Sequence, residues 1–504
     1  MARTRREIYA LGPTWNDTVL WYAKAIKELR PRPITRKASW RYLAAMHDFD
    51  RDQWVSLSYL KAGEALPPQA EQDLYWKQCQ HGSWYFLPWH RAYLLSFEEI
   101  VGAAVKALGG PDDWALPYWN YSSQSNPSAL NVPPAFLART MPDGSANPLF
   151  VAARSGRPLN RDTVRLDTQL SDGDFVGVDD GPNAGVGGPR TIFMDHGDSE
   201  GLIEAQPHDI VHSQLGGRGG LMSYTTLAAL DPIFWLHHAN IDRLWEVWLQ
   251  RDAANKNPAE ANWLNGPSKK RRFATFGPDE KDRPSNPQDV LSTARIGYSY
   301  DDTSDPLKGV TRRRRRLQDI LPHRQSFSVA ERGGPKAMPA GGKFELMGSN
   351  DKKLALGPET ATARVKLAPR PLKSFTRSFS ATAVQPDTPG EPDRVFLRLE
   401  NITGKDGSGI FDVFVHGPGS GAGDEHTPVG SISLFGLERA SAGSGRNAGT
   451  GLTKTLEITN AVDALHLAKA NLDELEVSIV PRSDVREEDQ IKVGQITLYR
   501  QSSE

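Results

Sequence analysis

Residues 231–245 read DPIFWLHHANIDRLW, and this stretch decides the interpretation of the first 300 residues. Asp231 suits a helix N-cap and Pro232 suits the first helical position, so a helix is predicted to begin here. The stretch is rich in aromatic residues and carries two adjacent histidines, His237 and His238. It therefore predicts a helix that brings imidazoles into a protein core.

Segments upstream of this helix also read as helices. Residues 88–110, PWHRAYLLSFEEIVGAAVKALGG, begin at a proline, repeat apolar residues at helical spacing and end in two glycines. Shorter helices are predicted in SWRYLAAMHDF (39–49) and QPHDIVHSQL (206–215). Residues 122–200 are rich in Gly, Pro, Asn and Asp, which predicts long loops. We therefore expect a mainly α domain over residues 1–302.

The last third of the chain has a different periodicity. Segments such as RVFLRLENI, GIFDVFVHG, LEVSIVP and KVGQITLY alternate apolar and polar residues and are separated by turn residues. This pattern predicts a C-terminal antiparallel β-sandwich over residues 341–504. Residues 303–340, with the run Arg312 to Arg316 and the string GGPKAMPAGG, read as a linker.

The composition excludes several classes of function. Lys plus Arg is 60 and Asp plus Glu is 61, so no excess of charge indicates nucleic acid or an anionic membrane as a partner. The single cysteine, Cys79, excludes an intramolecular disulfide and cysteine-rich zinc modules. No apolar run approaches the length of a membrane span, and no signal peptide is seen. A cytoplasmic protein is predicted, with export on a carrier protein left open.

The histidines form a set that suggests a metal site. His208 and His212 are four residues apart on a predicted helix, so both rings project from one face. Any single histidine is more often an ordinary structural residue. The evidence for a metal site comes from the whole set, which comprises His47, His81, His90, His208, His212 and His238. Imidazole suits copper, zinc, iron and nickel, so ligand chemistry alone does not name the metal.

Three segments resemble one family. PWHRAYLLSFEE, PHDIVH and DPIFWLHHANIDRLW are similar to the copper A and copper B motifs of the tyrosinase, catechol oxidase and polyphenol oxidase family, whose centre is a binuclear (type 3) copper site. The resemblance implies a four-helix bundle that holds two copper ions. It implies that copper A is bound by His47, His81 and His90, and copper B by His208, His212 and His238. His237 is then a structural neighbour.

The resemblance also assigns roles around the ligands. It implies a thioether between Cys79 and His81, with a free buried thiol as the alternative. Glu204 would hold a water that helps to deprotonate a phenol, or would be an ordinary first-turn glutamate. Asp209 stands where members with monophenol activity often carry asparagine, and would act as a base or oppose an activated water.

Further residues follow from the same motifs. Thr225 and Ser213 correspond to positions at the substrate entrance, where small side chains leave it open. Phe234 corresponds to a phenylalanine that packs against a ligand ring. Asp242, four residues after His238, would hold a ligand or steady a neighbouring helix.

The end of the catalytic domain has its own motif. GYSYDD at 297–302 resembles the family's closing tyrosine motif, with Tyr298 and Tyr300, and Arg5 or Arg6 would stack on these rings.

The implied activity is oxidation of small phenols or o-diphenols to o-quinones, with dioxygen as co-substrate and two copper ions as cofactor. We expect o-diphenol oxidation ahead of ortho-hydroxylation of monophenols. GIFDVFVHG resembles a motif of the C-terminal domain that keeps long polyphenol oxidases latent, although isoleucine replaces its lysine. The alternatives are a haemocyanin-like oxygen-binding protein, an o-aminophenol oxidase, or a zinc or iron hydrolase. A copper-loading chaperone and an oligomer are left open.

Overall fold

The computed structural model describes residues 3–178, 181–191, 199–266, 272–308, 343–350, 352–384, 393–419, 427–443 and 449–502. Most of the predicted linker, including the arginine run, lies outside these residues. Among the described helices, none combines the length and apolar character needed to cross a bilayer.

Helices dominate the first 308 residues. The α-helices are α1 (Asp17–Leu29), α2 (Trp40–Ala45), α3 (Arg51–Ser56), α4 (Gln69–Tyr75), α5 (Phe86–Ala107), α6 (Asp167–Ser171), α7 (Asp209–Gly216), α8 (Ile233–Arg251) and α9 (Ala261–Leu264). Short 3-10 helices lie at Pro134–Phe136, Arg161–Val164, Leu221–Ser223, Ala228–Leu230 and Pro287–Val290. A π-helical turn, Glu204–His208, leads into α7.

The two longest helices form the centre of this domain. Helix α5 packs against both α1 and α8, and its first two turns are buried on every side. Between α5 and α8, the rings of Phe97 and Trp235 stack with centroids 3.5 Å apart. Helix α8 begins one residue after Pro232, and the Asp231 carboxylate accepts a hydrogen bond from the Ile233 N–H at 3.0 Å. The predicted N-cap therefore acts as one.

A short parallel pair joins the N-terminus to the end of the helical domain. Strand β1 (Arg3–Arg5) pairs with β2 (Tyr298–Tyr300). Arg5 is fully buried and its guanidinium lies 3.8 Å from the centroid of the Tyr298 ring. Of the two arginines considered from the sequence, Arg5 makes the stack.

The C-terminal part is an antiparallel β domain. Its strands are β3 (Phe344–Ser349), β4 (Leu354–Leu356), β5 (Ala361–Leu367), β6 (Arg394–Ile402), β7 (Ile410–His416), β8 (Gly430–Ser433), β9 (Leu452–Glu457), β10 (Glu474–Pro481), β11 (Ile491–Val493) and β12 (Gln495–Gln501). Eight of them form a sheet in the order β8-β7-β10-β5-β3-β12-β6-β9, and β11 pairs with β4. Three helices accompany them: α10 (Pro369–Val384), α11 (Leu437–Ser441) and α12 (Thr459–Leu467), and a 3-10 turn lies at Glu487–Asp489.

The two parts meet at helix α7. Strands β7 and β8 both lie against α7, which carries one of the predicted metal-binding histidines. The predicted fold class, a mainly α domain followed by an antiparallel β domain, is confirmed. The β domain covers the part of the helical domain in which the histidines lie.

Candidate metal centre

Two clusters of buried side chains face each other in the helical domain. One contains His47, Cys79, His81 and His90, and the other contains His208, His212, His237 and His238. Within each cluster the potential ligand atoms all lie within 4.8 Å of one another. The His90 ring of one cluster stacks on the His238 ring of the other, with centroids 4.6 Å apart.

Three α-helices, a π-helical turn and two connecting segments position these histidines. His90 lies on α5, His212 on α7, and the pair of histidines on α8. His208 ends the π-helical turn before α7, and His81 lies in the loop before α5. His47 was expected on a helix but lies two residues beyond the end of α2. There its N–H donates to the Ala44 carbonyl at 3.1 Å, in the last turn of that helix.

Backbone carbonyls determine the tautomers of three rings. The Nδ1 atoms of His47, His90 and His212 lie 2.9, 2.8 and 2.8 Å from carbonyl oxygens of Thr225, Phe86 and Met222. A carbonyl only accepts, so each Nδ1 carries the proton and each Nε2 keeps its lone pair.

The remaining lone pairs suit a metal ion. The Nε2 atoms of His47 and His208 are buried and have no hydrogen-bond partner. Orphaned buried acceptors of this kind are unfavourable unless a further group binds them. Since neutral imidazoles are the donors in both clusters, the described residues fit copper, which imidazole ligands suit.

Burial keeps the imidazoles neutral. It lowers the pKa of His47 to about 4 and that of His237 to about 3. The pKa values of His90, His208 and His238 are well below the usual value, first because of burial and then because neighbouring imidazoles repel a second charge. At neutral pH these rings are therefore in the form that binds a metal.

Both histidines of the pair lie in the second cluster. The Nε2 of His238 is 3.3 Å from the Nε2 of His212, so these two atoms converge. His237 has its Nδ1 3.1 Å from the Tyr121 hydroxyl. His238 also lies between the clusters, because its ring packs against His90.

The single cysteine lies between two rings of the first cluster. Its Sγ is 3.5 Å from Nδ1 of His81 and 3.7 Å from Nε2 of His90. These are contact distances, and the side chain is buried. The thiol is therefore placed next to the ring with which the sequence motif pairs it.

Two buried carboxylates, Glu204 and Asp209, lie close to the histidines. Both oxygens of Glu204 accept the Gly82 N–H, at 2.9 and 3.0 Å. Burial, together with the nearby Glu200 and Asp209 charges, raises the pKa of Glu204. Asp209 Oδ1 lies 2.8 Å from Nδ1 of His208, so it holds that ring instead of facing the space between the clusters.

Asp242 does not hold a ligand ring. Its carboxylate binds Arg5, Arg91 and the hydroxyls of Tyr298 and Tyr300. Although burial raises the pKa of Asp242, the two arginines outweigh it and the net shift is downward. Of the two roles considered from the sequence, this carboxylate therefore has the second, because it ties α8 to α5 and to the N-terminus.

Other residues predicted from the motifs lie close to the clusters. The Phe234 ring is 4.1 Å from the His238 ring and 4.9 Å from the His47 ring, centroid to centroid. The Thr225 hydroxyl donates to Asp48 at 2.7 Å. Ser213 is buried, and its hydroxyl lies 2.7 Å from that of Ser433 in the β domain. The β domain therefore covers Ser213, one of the two residues predicted to lie at the substrate entrance.

The β domain contributes three residues that sequence analysis missed. The Phe435 ring stacks on His212 with centroids 4.2 Å apart and an interplanar angle of 19°. Lys454 Nζ donates to Asp209 at 2.8 Å, and Arg439 binds Asp48. The consecutive apolar residues Leu434 and Phe435, which break the alternation at the end of β8, were the available signal for the ring. No pattern indicated the two cations.

Lys454 is buried and pairs with two carboxylates of the helical domain, Glu200 and Asp209. Both oxygens of Glu200 lie 2.6 Å from its Nζ. Burial lowers the pKa of the ammonium, but the charges of Asp209 and Glu200 outweigh it and the net shift is upward. This buried cation therefore forms an ion pair between the β domain and the helical domain, next to His208.

Comparisons of the sequence agree with this geometry. A family model described as the common central domain of tyrosinase matches residues 37–184 and 143–251, and one described as a domain of unknown function matches residues 343–501. A tyrosinase of Hahella sp. (strain CCB-MM4) is 32% identical over 508 residues, which are 99% of this chain and 99% of that protein. A chloroplastic polyphenol oxidase of Malus domestica is 25% identical over 82% of this chain and 65% of that protein.

Solved structures share the fold over the whole chain. Latent apple tyrosinase superposes with a TM-score of 0.60 at 21% identity, covering 100% of this chain and 98% of that one. A latent aurone synthase (polyphenol oxidase) gives a TM-score of 0.57 at 18% identity, covering 100% and 90%. The full-length similarity to the Hahella protein, together with the two histidine clusters, shows that the chain belongs to the tyrosinase family, the binuclear copper enzymes that oxidise phenols.

Proposed function

We propose that this enzyme oxidises o-diphenols to o-quinones with dioxygen, and that its β domain keeps the full-length chain latent. The observation that carries the proposal is the Phe435 ring on His212. An aromatic ring from the β domain occupies the face of the metal centre to which an aromatic substrate would bind. The substrate therefore needs this ring to leave.

The proposed ligands divide into two sets of three. We assign copper A to His47, His81 and His90, and copper B to His208, His212 and His238. The convergence of the Nε2 atoms of His212 and His238 supports the choice of His238 over His237. When bound, the copper pair supplies the two-electron redox chemistry that couples catechol oxidation to the reduction of dioxygen.

Residues of the chain orient the proposed ligand rings and accept a proton from the substrate. The carbonyls that hold Nδ1 of His47, His90 and His212 keep these rings aimed at the centre. Glu204 has a raised pKa and is fixed by the Gly82 N–H, which suits it to hold a proton released by the substrate.

Asp209 is a positioning residue for His208 in this proposal, because one oxygen faces that ring and the other faces Lys454. A carboxylate engaged in this way is poorly placed to orient a water, and we therefore rank o-diphenol oxidation above monophenol hydroxylation. Thr225 and Ser213 are the proposed entrance residues, and both side chains are small.

The domain boundaries are part of the same proposal. We place the catalytic domain at 1–302, a linker at 303–340 and the shielding domain at 341–504. The last strand of the helical part, β2, ends at Tyr300 and β3 begins at Phe344, and the second family model starts at residue 343, which supports this division.

A thioether between Cys79 and His81 is proposed from the motif and the 3.5 Å contact. A peptide mass lower by two hydrogens would establish it, and an unmodified thiol titratable after unfolding would exclude it. A cytoplasmic location remains a prediction from the sequence, and a copper-loading chaperone and an oligomer are left open.

Oxygen uptake tests the proposed function. Copper-loaded protein is given 4-tert-butylcatechol, and separately tyrosine, before and after limited proteolysis between the two domains. We expect uptake with the catechol after cleavage and little before it. High uptake by the uncut chain would contradict latency. No uptake in either state, with two coppers bound, would favour the oxygen-binding alternative.

A further inference from the structure

We propose that Asp48 makes the opened enzyme selective for phenols and catechols that carry a positive charge. The substrate ring would take the place of Phe435 over His212, and its cationic group would take the place of Arg439 on Asp48. This inference rests on the proposed function and names a substrate class for the same site.

One short segment of the β domain occupies the entrance. This covering segment, Ser433–Ser441, runs from the end of β8 through α11. Its Ser433 hydroxyl meets Ser213, its Phe435 ring stacks on His212, and its Arg439 guanidinium binds Asp48. The segment therefore places an aromatic ring on His212 and, four residues later, a cation on Asp48, the residue after His47.

The carboxylate of Asp48 is oriented by the helical domain itself. Asp48 follows His47 directly, and its Oδ2 accepts the Thr225 hydroxyl at 2.7 Å while its Oδ1 accepts the Phe49 N–H at 2.8 Å. The backbone carbonyl of Thr225 in turn holds Nδ1 of His47. These contacts do not involve the β domain, so the carboxylate stays oriented when that domain leaves.

Arg439 shows the kind of group that this carboxylate accepts. Its Nε donates to Asp48 Oδ2 at 2.8 Å, its Nη2 donates to Oδ1, and Nη2 also donates to the Phe49 carbonyl at 3.2 Å. A carboxylate and a carbonyl together suit a donor with a positive charge. When Arg439 leaves, a substrate ammonium replaces its charge beside Asp48, whereas a neutral substrate does not.

The second cation of the β domain does not offer an equivalent site. Lys454 binds Glu200 and Asp209, and Asp209 is hydrogen-bonded to Nδ1 of His208. Lys454 lies on β9, outside the covering segment that carries the Phe435 ring. Glu200 therefore gives a matched control, because it also loses a cation when the β domain leaves.

Three catechols with the same ring test the proposal on copper-loaded, proteolytically opened enzyme. Dopamine is cationic, 4-ethylcatechol is neutral and 3-(3,4-dihydroxyphenyl)propionate is anionic. We expect kcat/KM for dopamine to exceed that for 4-ethylcatechol by about tenfold, which is the effect of one charge-assisted hydrogen bond. The anion should be the poorest substrate. In D48N the ratio of dopamine to 4-ethylcatechol should fall to about one, and in E200Q it should stay.

Because Asp48 directly follows His47, the D48N substitution also changes the surroundings of a proposed copper ligand. Binding to the wild-type protein, measured without turnover, avoids this effect. Calorimetric titration of the opened wild-type protein with 2-phenylethylamine and with 2-phenylethanol should show tighter binding of the amine, and 0.5 M salt should remove most of the difference. Equal binding of the two, or a difference that salt leaves intact, would overturn the proposal.

The kinetic outcomes are equally decisive. Equal kcat/KM for dopamine and 4-ethylcatechol in the wild type would overturn the proposal, and so would a preference that survives in D48N or disappears in E200Q. If the opened, copper-loaded enzyme oxidises none of the three catechols, the proposed function itself has failed. Oxidation of 4-ethylcatechol without a preference for dopamine refutes only the role of Asp48.

Discussion

Replacing Phe435 by alanine in the uncut chain should release catechol oxidation without proteolysis. The ring is 3% exposed, and besides stacking on His212 it lies 5.8 Å from the His208 ring and 6.1 Å from the His81 ring. It therefore bridges the β domain and both histidine clusters. Its removal both weakens the closed arrangement and vacates the space above His212.

The structure sets the size of the effect. Removal of a buried phenylalanine ring lowers stability by about 3–5 kcal/mol. If about half of this, roughly 2 kcal/mol, falls on contacts with the catalytic domain, the open fraction rises about thirtyfold. We therefore expect uncut F435A to oxidise 4-tert-butylcatechol at least about thirtyfold faster than the uncut wild type.

Oxygen uptake by uncut and cleaved protein measures this change. F435L should stay mostly latent, since leucine fills much of the same space. F411A is the matched control, because Phe411 is 1% exposed in the core of the β domain and its ring is in contact with none of the clustered histidines. The reasoning is refuted if uncut F435A is as inactive as the wild type while its cleaved form is active. It is also refuted if F411A releases the same activity.

Three further predictions concern the charges and ligands of the site. K454M leaves the carboxylate of Asp209 buried without its ammonium, so the stability of the closed state should fall by about 3 kcal/mol. The uncut chain should then gain catechol oxidase activity and protease sensitivity. Unchanged latency would contradict the role of the ion pair. H238A should bind about one copper per chain and H237A about two, as measured by metal analysis after dialysis; the reverse result would transfer the ligand role to His237. The pKa of His47 is about 4 in the folded protein and 6.5 in the unfolded chain, so between these values the unfolded chain binds a proton that the folded chain does not. The melting temperature of copper-free protein should therefore fall between about pH 6.5 and pH 4, and a constant value over this range would contradict the neutral cluster.

Local patterns predicted the parts of this protein that depend on neighbours in sequence. The Asp231 and Pro232 start of α8, the ending of α5 before Gly109, whose φ is +85°, and the alternating strands follow from periodicity and capping. The position of His47 beyond the end of α2 was not predictable at this level, because helix ends vary by one or two residues.

The role of Asp242 shows why spacing alone was insufficient. Four residues after His238, a carboxylate could reach the ligand ring or turn away from it. It turns toward Arg5 and Arg91, because two buried guanidiniums and two tyrosine hydroxyls satisfy a buried charge better than one imidazole N–H does.

The sequence by itself therefore determined the two kinds of domain, the family resemblance and the set of histidines that could bind copper, since each depends on short motifs or local periodicity. Only the tertiary structure decided which ring and which cations cover the centre. Lys454 reaches a carboxylate 245 positions away, and Arg439 reaches one 391 positions away. Periodicity carries no information about such pairs, because their contact depends on how the two domains pack after each has formed its own core.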